Sequence, residues 1–256
     1  MIIDVNIASG NWPFRKLKYR NISQLMNLMD KVSIDKCCIS SLNNVFYKDI
    51  QVGNEDLYKE VKEHSKRFIS FGVINPSFPG WQEDFESSYN KLGIKGIKLY
   101  PNYHQYDLKY GGILTLLKKT TEYKLQVLIQ IRIEDERCHH WLTKVPPVST
   151  ADISFVIEKF PELKIILGGI KLGEVKKLRS IIKENDFVFV ETSWIDSLNG
   201  IDKLVKMVGI SKILFGTNMP FFYPQSNLSK VQIENHLPKE DKEKILYKNA
   251  QKLLSL

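Results

Sequence analysis

Short apolar runs of strand length recur along the chain, separated by stretches whose apolar residues return every three or four positions. Runs of the first kind fit buried parallel strands and the second kind fit the inner face of a helix, so their alternation predicts βαβ units. Eight strands are predicted, at residues 2–7, 36–41, 68–75, 94–100, 126–132, 163–168, 187–191 and 212–216. Helices are predicted at 23–32, 54–65, 82–92, 113–123, 150–160, 174–183, 197–208 and 239–254. Leu25, Met26, Leu28 and Met29 make the broad apolar face of the first, and Pro161 stops the fifth. The turn after the first strand, Ala8-Ser9-Gly10-Asn11-Trp12-Pro13, lacks the Gly-rich pattern of an open dinucleotide-binding sheet. Eight strand–helix units therefore predict an α/β protein with the closed (β/α)8 TIM-barrel architecture.

With 256 residues, 43% of them apolar and 26% charged, the composition is that of an ordinary globular chain, and residues 1–256 read as a single barrel domain. The net charge of +8 comes mostly from scattered lysines, such as Lys91, Lys95, Lys118, Lys119 and Lys124, which read as solvated helix faces and not as a nucleic-acid surface. Arginines are scarcer, and Arg132 and Arg137 fall within six residues of each other, where planar guanidinium groups suit a carboxylate. Three cysteines, two of them adjacent at Cys37 and Cys38, form neither a disulfide framework nor a zinc pattern. No window approaches ~20 continuous apolar residues, and Asp4 stands where a signal peptide carries its basic region. The expectation is a cytoplasmic protein without a membrane partner.

Chemistry in such a barrel belongs at the C-terminal ends of the strands and in the loops that follow. That rule selects Asn6 and the 9–15 loop, Asn75, Lys98, Tyr100 and the 102–107 loop, Gln130, Arg132 and the 134–140 loop, Gly169, residues 191–194 with Glu191, and residues 217–224 with Asn218. Period-two alternation puts Gln130 and Arg132 on one lumen-facing side of their strand. Just beyond them, Glu134-Asp135-Glu136-Arg137-Cys138-His139-His140 packs acids, an arginine and two imidazoles together. It reads either as an exposed charged loop or as part of a site. His104, flanked by Tyr103 and Tyr106, is either exposed or the wall of a pocket. Trp12 and Phe14 either close over a planar anion or cap the core.

Four strand ends resemble those of the amidohydrolase-related barrels, the family of aminocarboxymuconate decarboxylase and the dicarboxylate lactonases. Ile3-Asp4-Val5-Asn6-Ile7-Ala8 sits where that family has D-x-H-x-H, and Gly96-Ile97-Lys98-Leu99-Tyr100-Pro101 resembles its G-I/V-K/R-L-x-P strand. Ile165-Ile166-Leu167-Gly168-Gly169 is similar to a strand that ends in His, and Ile213-Leu214-Phe215-Gly216-Thr217-Asn218-Met219-Pro220 to I-L-F-G-S/T-D-x-P. The resemblance spans the chain and implies a barrel acting on a small substrate through a divalent metal held by four histidines and an aspartate. At those positions this sequence has Asn6, Ala8, Gln130, Gly169 and Asn218. Carboxamides and glycine hold zinc poorly and Asn218 is no base, so the expectation is a divergent branch with no metal and no cofactor.

Two functions fit these residues. One is a metal-independent hydrolase or lyase acting on a small anionic, carboxylated compound such as a lactone. In it, His104, Asp135, His139 or His140 moves the proton, and Asn6, Trp12, Lys98, Tyr100, Gln130, Arg132, Arg137, Glu191 and Asn218 bind the substrate, with Arg132 balanced by Glu191 when empty. The other is a barrel without catalysis that binds a ligand or serves as a scaffold. Convergence of the acids and imidazoles in the lumen favours the first, and their dispersal favours the second. The sequence leaves the oligomeric state open, and a homo-oligomer is compatible with it.

Overall fold

In the computed structural model, which describes residues 1–234 and 236–256, the alternating runs form strands β1 (Ile3–Ser9), β2 (Lys36–Ser41), β3 (Phe68–Val73), β4 (Gly96–Leu99), β5 (Gln126–Gln130), β6 (Lys164–Gly168), β7 (Val188–Glu191) and β8 (Ile213–Leu214). Each pairs in parallel with the next in sequence order. The sheet closes through Val5 N donating to Phe215 O and Ala8 N donating to Met219 O, with a bridge between Ile7 and Met219. Helices α1 (Ile22–Lys31), α2 (Ile50–Val61), α3 (Trp81–Asn90), α4 (Gly111–Glu122), α5 (Thr150–Lys159), α6 (Leu172–Glu184), α7 (Gly200–Val208) and α8 (Pro224–Gln232) follow the strands in turn. The C-terminal segment continues through α9 (Lys239–Glu243), a π turn (Lys244–Lys248) and α10 (Asn249–Leu254). This is the single-domain (β/α)8 barrel that the pattern predicts. No helix among the described residues is long and apolar enough to cross a membrane.

Alternation along the strands separates two packed layers. Ile97, Leu99, Val127, Ile129, Ile165, Leu167, Val188, Val190 and Ile213 face the helices. Ile3, Val5, Cys38, Phe71, Leu128, Ile166 and Leu214 fill the barrel floor, closed from below by Ala250, Leu253 and Leu254. Each such fully buried aliphatic chain contributes roughly 1.5–3 kcal/mol, so the floor is a core and not a pore. The pairing of β1 with β2 slips between Asp4 and Ile7, three residues advancing opposite two. Such a bulge re-aims a side chain. Here Val5 packs on the floor while Asn6, the next residue, also reaches inward to Lys98 and Glu191. Asp4 holds the irregular turn by accepting from Asn6 N at 2.9 Å, Thr217 N at 3.1 Å and the Thr217 hydroxyl.

Boundaries differ from the sequence expectation where a local bond intervenes. β5 ends at Gln130, two residues early, because Gln130 Nε2 donates to Arg132 O at 2.7 Å and turns the chain out of the sheet. α7 begins at Gly200 and not near 197, since Asn199 takes a left-handed φ of 52°. α2 starts four residues ahead of the predicted position and gives way to a 3₁₀ turn, Lys62–His64. α8 lies between predicted elements, its polar sequence offering only Leu228 and Val231 as buried aliphatic anchors.

Candidate active site

The side chains at the C-terminal ends of the strands close on one another. Lys98 Nζ donates to Asn6 Oδ1 at 2.7 Å, and Asn6 Nδ2 donates on to Glu191 Oε1 at 3.2 Å. Glu191, fully buried, also receives Gly169 N at 2.7 Å and the Ser193 hydroxyl at 2.7 Å on Oε1, and Ser193 N at 2.6 Å on Oε2. Across the ring, Gln130 Nε2 lies 3.3 Å from Asn218 Oδ1, and Asn218 Nδ2 donates to Ile133 O at 2.7 Å. The expected inward residues Asn6, Lys98, Gln130, Glu191 and Asn218 are thus brought together, with Tyr100 above Lys98 at 5.5 Å.

Two glycines make this compact arrangement possible. Gly169 has a φ of +71°, and a Cβ there would stand 2.4 Å from Arg132 O. A Cβ on Gly216 would stand 2.4 Å from Glu191 Oε2. The network is closed from above by rings drawn from several loops. Trp12 lies 5.8 Å from Phe14, 5.2 Å from Phe46, 5.9 Å from Tyr103 and 5.0 Å from Phe221. Arg15 crosses the rim, its guanidinium over Phe221 at 5.6 Å and paired to the buried carboxylate of Glu134 at 3.3 Å. Trp12 and Phe14 therefore do cap the core, in a cluster with Tyr100 and Ile133.

Burial governs the charges. It lowers the Lys98 ammonium to a pKa of about 7 against the upward pull of Glu191 and Asp4, and it raises Asp4 to about 7 despite the Thr217 hydrogen bonds. It also lifts Glu134 above the ordinary carboxylate range, with Arg15 opposing. Lys98 is only 3% exposed, and among the described residues no carboxylate lies within 4.0 Å of its nitrogen.

The acid and imidazole groups whose convergence would favour catalysis are dispersed. Asp135 caps a 3₁₀ turn, Glu136–Cys138, and clasps Arg137 at 2.8 and 2.9 Å. Arg137 is 89% exposed and does not enter the lumen. The Arg137 bonds hold Asp135 well below the usual carboxylate range, which removes it as a base near neutral pH. His140 stacks on Phe14 at 5.4 Å at the outer rim, and His139 is only partly buried. His104 sits apart, 3.0 Å from Asn44 O. Among the described residues no hydrogen bond joins any two of His104, Asp135, His139 and His140. Loop residues a few positions apart in sequence have no obligation to share a face once a turn intervenes, and this is why they disperse.

Arg132 also departs from expectation. Its strand has ended, and the guanidinium turns outward to α6, forking onto Glu174 and reaching Gly169 O. Trp194 covers it at 5.4 Å. The balancing acid is Glu174, at N3 of α6, and not Glu191. Arg132→Met is therefore expected to lower stability by roughly 2 kcal/mol, because Glu174 loses its partner while the apolar stem remains. Urea denaturation measures this, and an unchanged midpoint means the ion pair contributes nothing net.

Burial drives the His104 pKa down to about 4. An unfolded histidine titrates near 6.5. The unfolded chain therefore binds the extra proton between these values, and the stability from His104 is lost as pH falls through that window. We expect His104→Gln to flatten the acid limb of a stability–pH profile by roughly 2 kcal/mol between pH 6.5 and 4; parallel profiles for both proteins would contradict it.

Arg15, Tyr103, Glu134, Ser193 and Phe221 lie in the strand-end loops that the sequence selects, whereas Phe46 and Glu174 lie outside them. Glu174 carried a signal, since an acid three residues after a helix start is a capping position. Phe46 carried none, because nothing local distinguishes a capping ring from a core ring.

Fold and site together describe a (β/α)8 barrel with its polar centre at the strand C-termini, built on the amidohydrolase plan. A family model described as Amidohydrolase matches residues 43–256, and the chain belongs to that family. Among solved structures, 5-carboxyvanillate decarboxylase from Sphingomonas paucimobilis superposes with a TM-score of 0.79 at 12% identity, over 100% of this chain and 99% of its own. 2,6-Dihydroxybenzoate decarboxylase from Rhizobium gives 0.72 at 15%, covering 99% and 98%. Dihydroxybenzoic acid decarboxylase from Polaromonas sp. JS666, with bound manganese and 2-nitroresorcinol, gives 0.74 at 17%, covering 100% and 97%. No curated protein matches the chain.

Proposed function

We propose that this protein binds a small aromatic carboxylate beneath its aromatic cap, without a resident divalent metal, using Lys98 as its internal cation. The observation that carries the reading is the Lys98–Asn6–Glu191 chain, which lies at the strand ends that resemble the family's metal-binding ones. The donor set there does not fit a divalent cation. Asn6 Oδ1 already accepts from the ammonium, Asn218 Oδ1 faces an amide, and Gly169 offers a backbone N–H that is committed to Glu191. Gln130 Oε1 is buried without a hydrogen-bond partner, but one amide oxygen is no metal site. No group of three His, Cys, Asp or Glu side chains suited to a metal occurs among the described residues.

The aromatic part of the reading is supported by the rings that cover the network and by the aromatic acids named for the structural relatives. Lactone hydrolysis receives less support, because it needs a base and oxyanion donors at one point and the imidazoles and Asp135 are dispersed. The test combines elemental analysis with calorimetric titration of benzoate and 2,6-dihydroxybenzoate before and after chelation. The expected result is substoichiometric zinc and manganese, with binding unchanged by EDTA. One tightly held transition metal per chain, or no binding of either acid, overturns the proposal. Asn218→Asp is expected to leave the metal content unchanged, because one added carboxylate still lacks imidazole partners.

A further inference from the structure

We infer that Lys98 is a reactive amine that forms an imine with a small 3-oxo carboxylate, an inference that rests on the carboxylate-binding reading above. The two most buried lysines among the described residues are held differently. Lys212, 7% exposed, is tied down by Asn185 O at 2.7 Å and by the carboxylate of Asp186 at 3.2 Å, as a structural buried lysine should be. Lys98 is more deeply buried and has one hydrogen bond, to a neutral amide, and the face of Tyr100.

The neighbouring acids do not complete its coordination. Glu191 is saturated by four donors, and Asp4 by the Thr217 and Asn6 groups. A buried ammonium without a direct counterion gives up its proton more readily than an exposed one, so the Lys98 that meets the ligand's carboxylate as a cation becomes the nucleophile once that proton has passed to solvent. Asn6 Oδ1 takes one N–H and so orients the lone pair. The position is the one where this fold puts its chemistry, inside the barrel at the C-terminal end of a strand. At the rim above it, Arg15 is 42% exposed and pairs with the buried carboxylate of Glu134 at 3.3 Å.

The chemistry balances without a metal. Nζ attacks the carbonyl carbon, forming the C–N bond while the C=O π pair moves to oxygen. That oxygen leaves as water with both amine protons, giving the imine, which is protonated by solvent. In a 3-oxo carboxylate, the bond to the carboxylate then breaks, its electron pair moves toward the C=N⁺ and CO2 departs. The enamine takes one proton at carbon, and water hydrolyses the resulting imine to release a ketone and the free lysine.

The experiment treats the intact protein with 3-oxo-3-phenylpropanoate and cyanoborohydride, then maps adducts by peptide mass. The parent should carry one adduct at residue 98, on the order of tenfold above any exposed lysine, and should speed CO2 release. Lys98→Arg keeps a cation beside Asn6 but cannot form the imine, so both signals should vanish while circular dichroism shows a folded barrel. Labelling spread over surface lysines, or CO2 release retained by Lys98→Arg, overturns the inference. Titration with 3-phenylpropanoate, which lacks the carbonyl, separates the two readings. Binding without labelling at residue 98 defeats the imine alone, and no binding by either protein defeats the carboxylate site as well.

Discussion

Gly169→Ala is expected to cost about 4 kcal/mol of stability, because a left-handed backbone and a steric overlap act at the same atom. The added Cβ would stand 2.4 Å from Arg132 O, a backbone atom whose place is set by its hydrogen bond from Gln130 Nε2. A flexible side chain could retreat, but a carbonyl at the end of β5 moves only with its strand. The measurement is the urea midpoint of parent and variant with unchanged slope. A loss under about 1 kcal/mol would show that the β5 and β6 ends yield easily. The same overlap means that no side chain, an imidazole included, fits at 169 without displacing the backbone of Arg132.

Glu191→Gln should cost about 3 kcal/mol, although the side chain keeps its shape. Both carboxylate oxygens accept, Oε1 from Asn6, Gly169 and the Ser193 hydroxyl, and Oε2 from Ser193 N. An amide must turn its NH2 toward one of those sets, leaving donor against donor in a site without water access. It also removes the negative charge that supports the Lys98 ammonium. A cycle with Lys98→Met provides the sharper check, because removing both charges should cost less than the sum of the single losses by roughly 1 kcal/mol or more. Additive losses would mean that lysine and glutamate do not sense one another, and the electrostatic description of the lumen would be abandoned.

The lumen residues were largely legible before any coordinates. Period-two alternation in β4, β5 and β7 places Lys98, Gln130 and Glu191 inward, and these are the residues found in the network. Asn6 is instructive in a different way. Strict alternation from the floor residues Ile3 and Val5 would point it at the helices, and only the bulge held by Asp4 brings it into the lumen. The loop after β5 was not legible, because a turn capped by Asp135 directs Arg137 to solvent while Glu134, its near neighbour, is buried beneath Arg15. Glu174 and Arg132 are 42 residues apart in sequence, and nothing local announces their pairing.

The eight strand–helix units and the absence of imidazoles at the matched strand ends follow from the chain's own residues. They depend on periodicity and side-chain chemistry, which are local and need no partner. The aromatic cap, the exchange of Glu191 for Glu174 as the partner of Arg132, and the lack of a direct ion pair to Lys98 among the described residues depend on which loops meet across the barrel mouth. Those meetings join Trp12 to Phe221 and Arg15 to Glu134 over long stretches of chain. Loop geometry there is set by caps, bulges and positive-φ residues, each a short-range event whose consequence appears only after the sheet has closed.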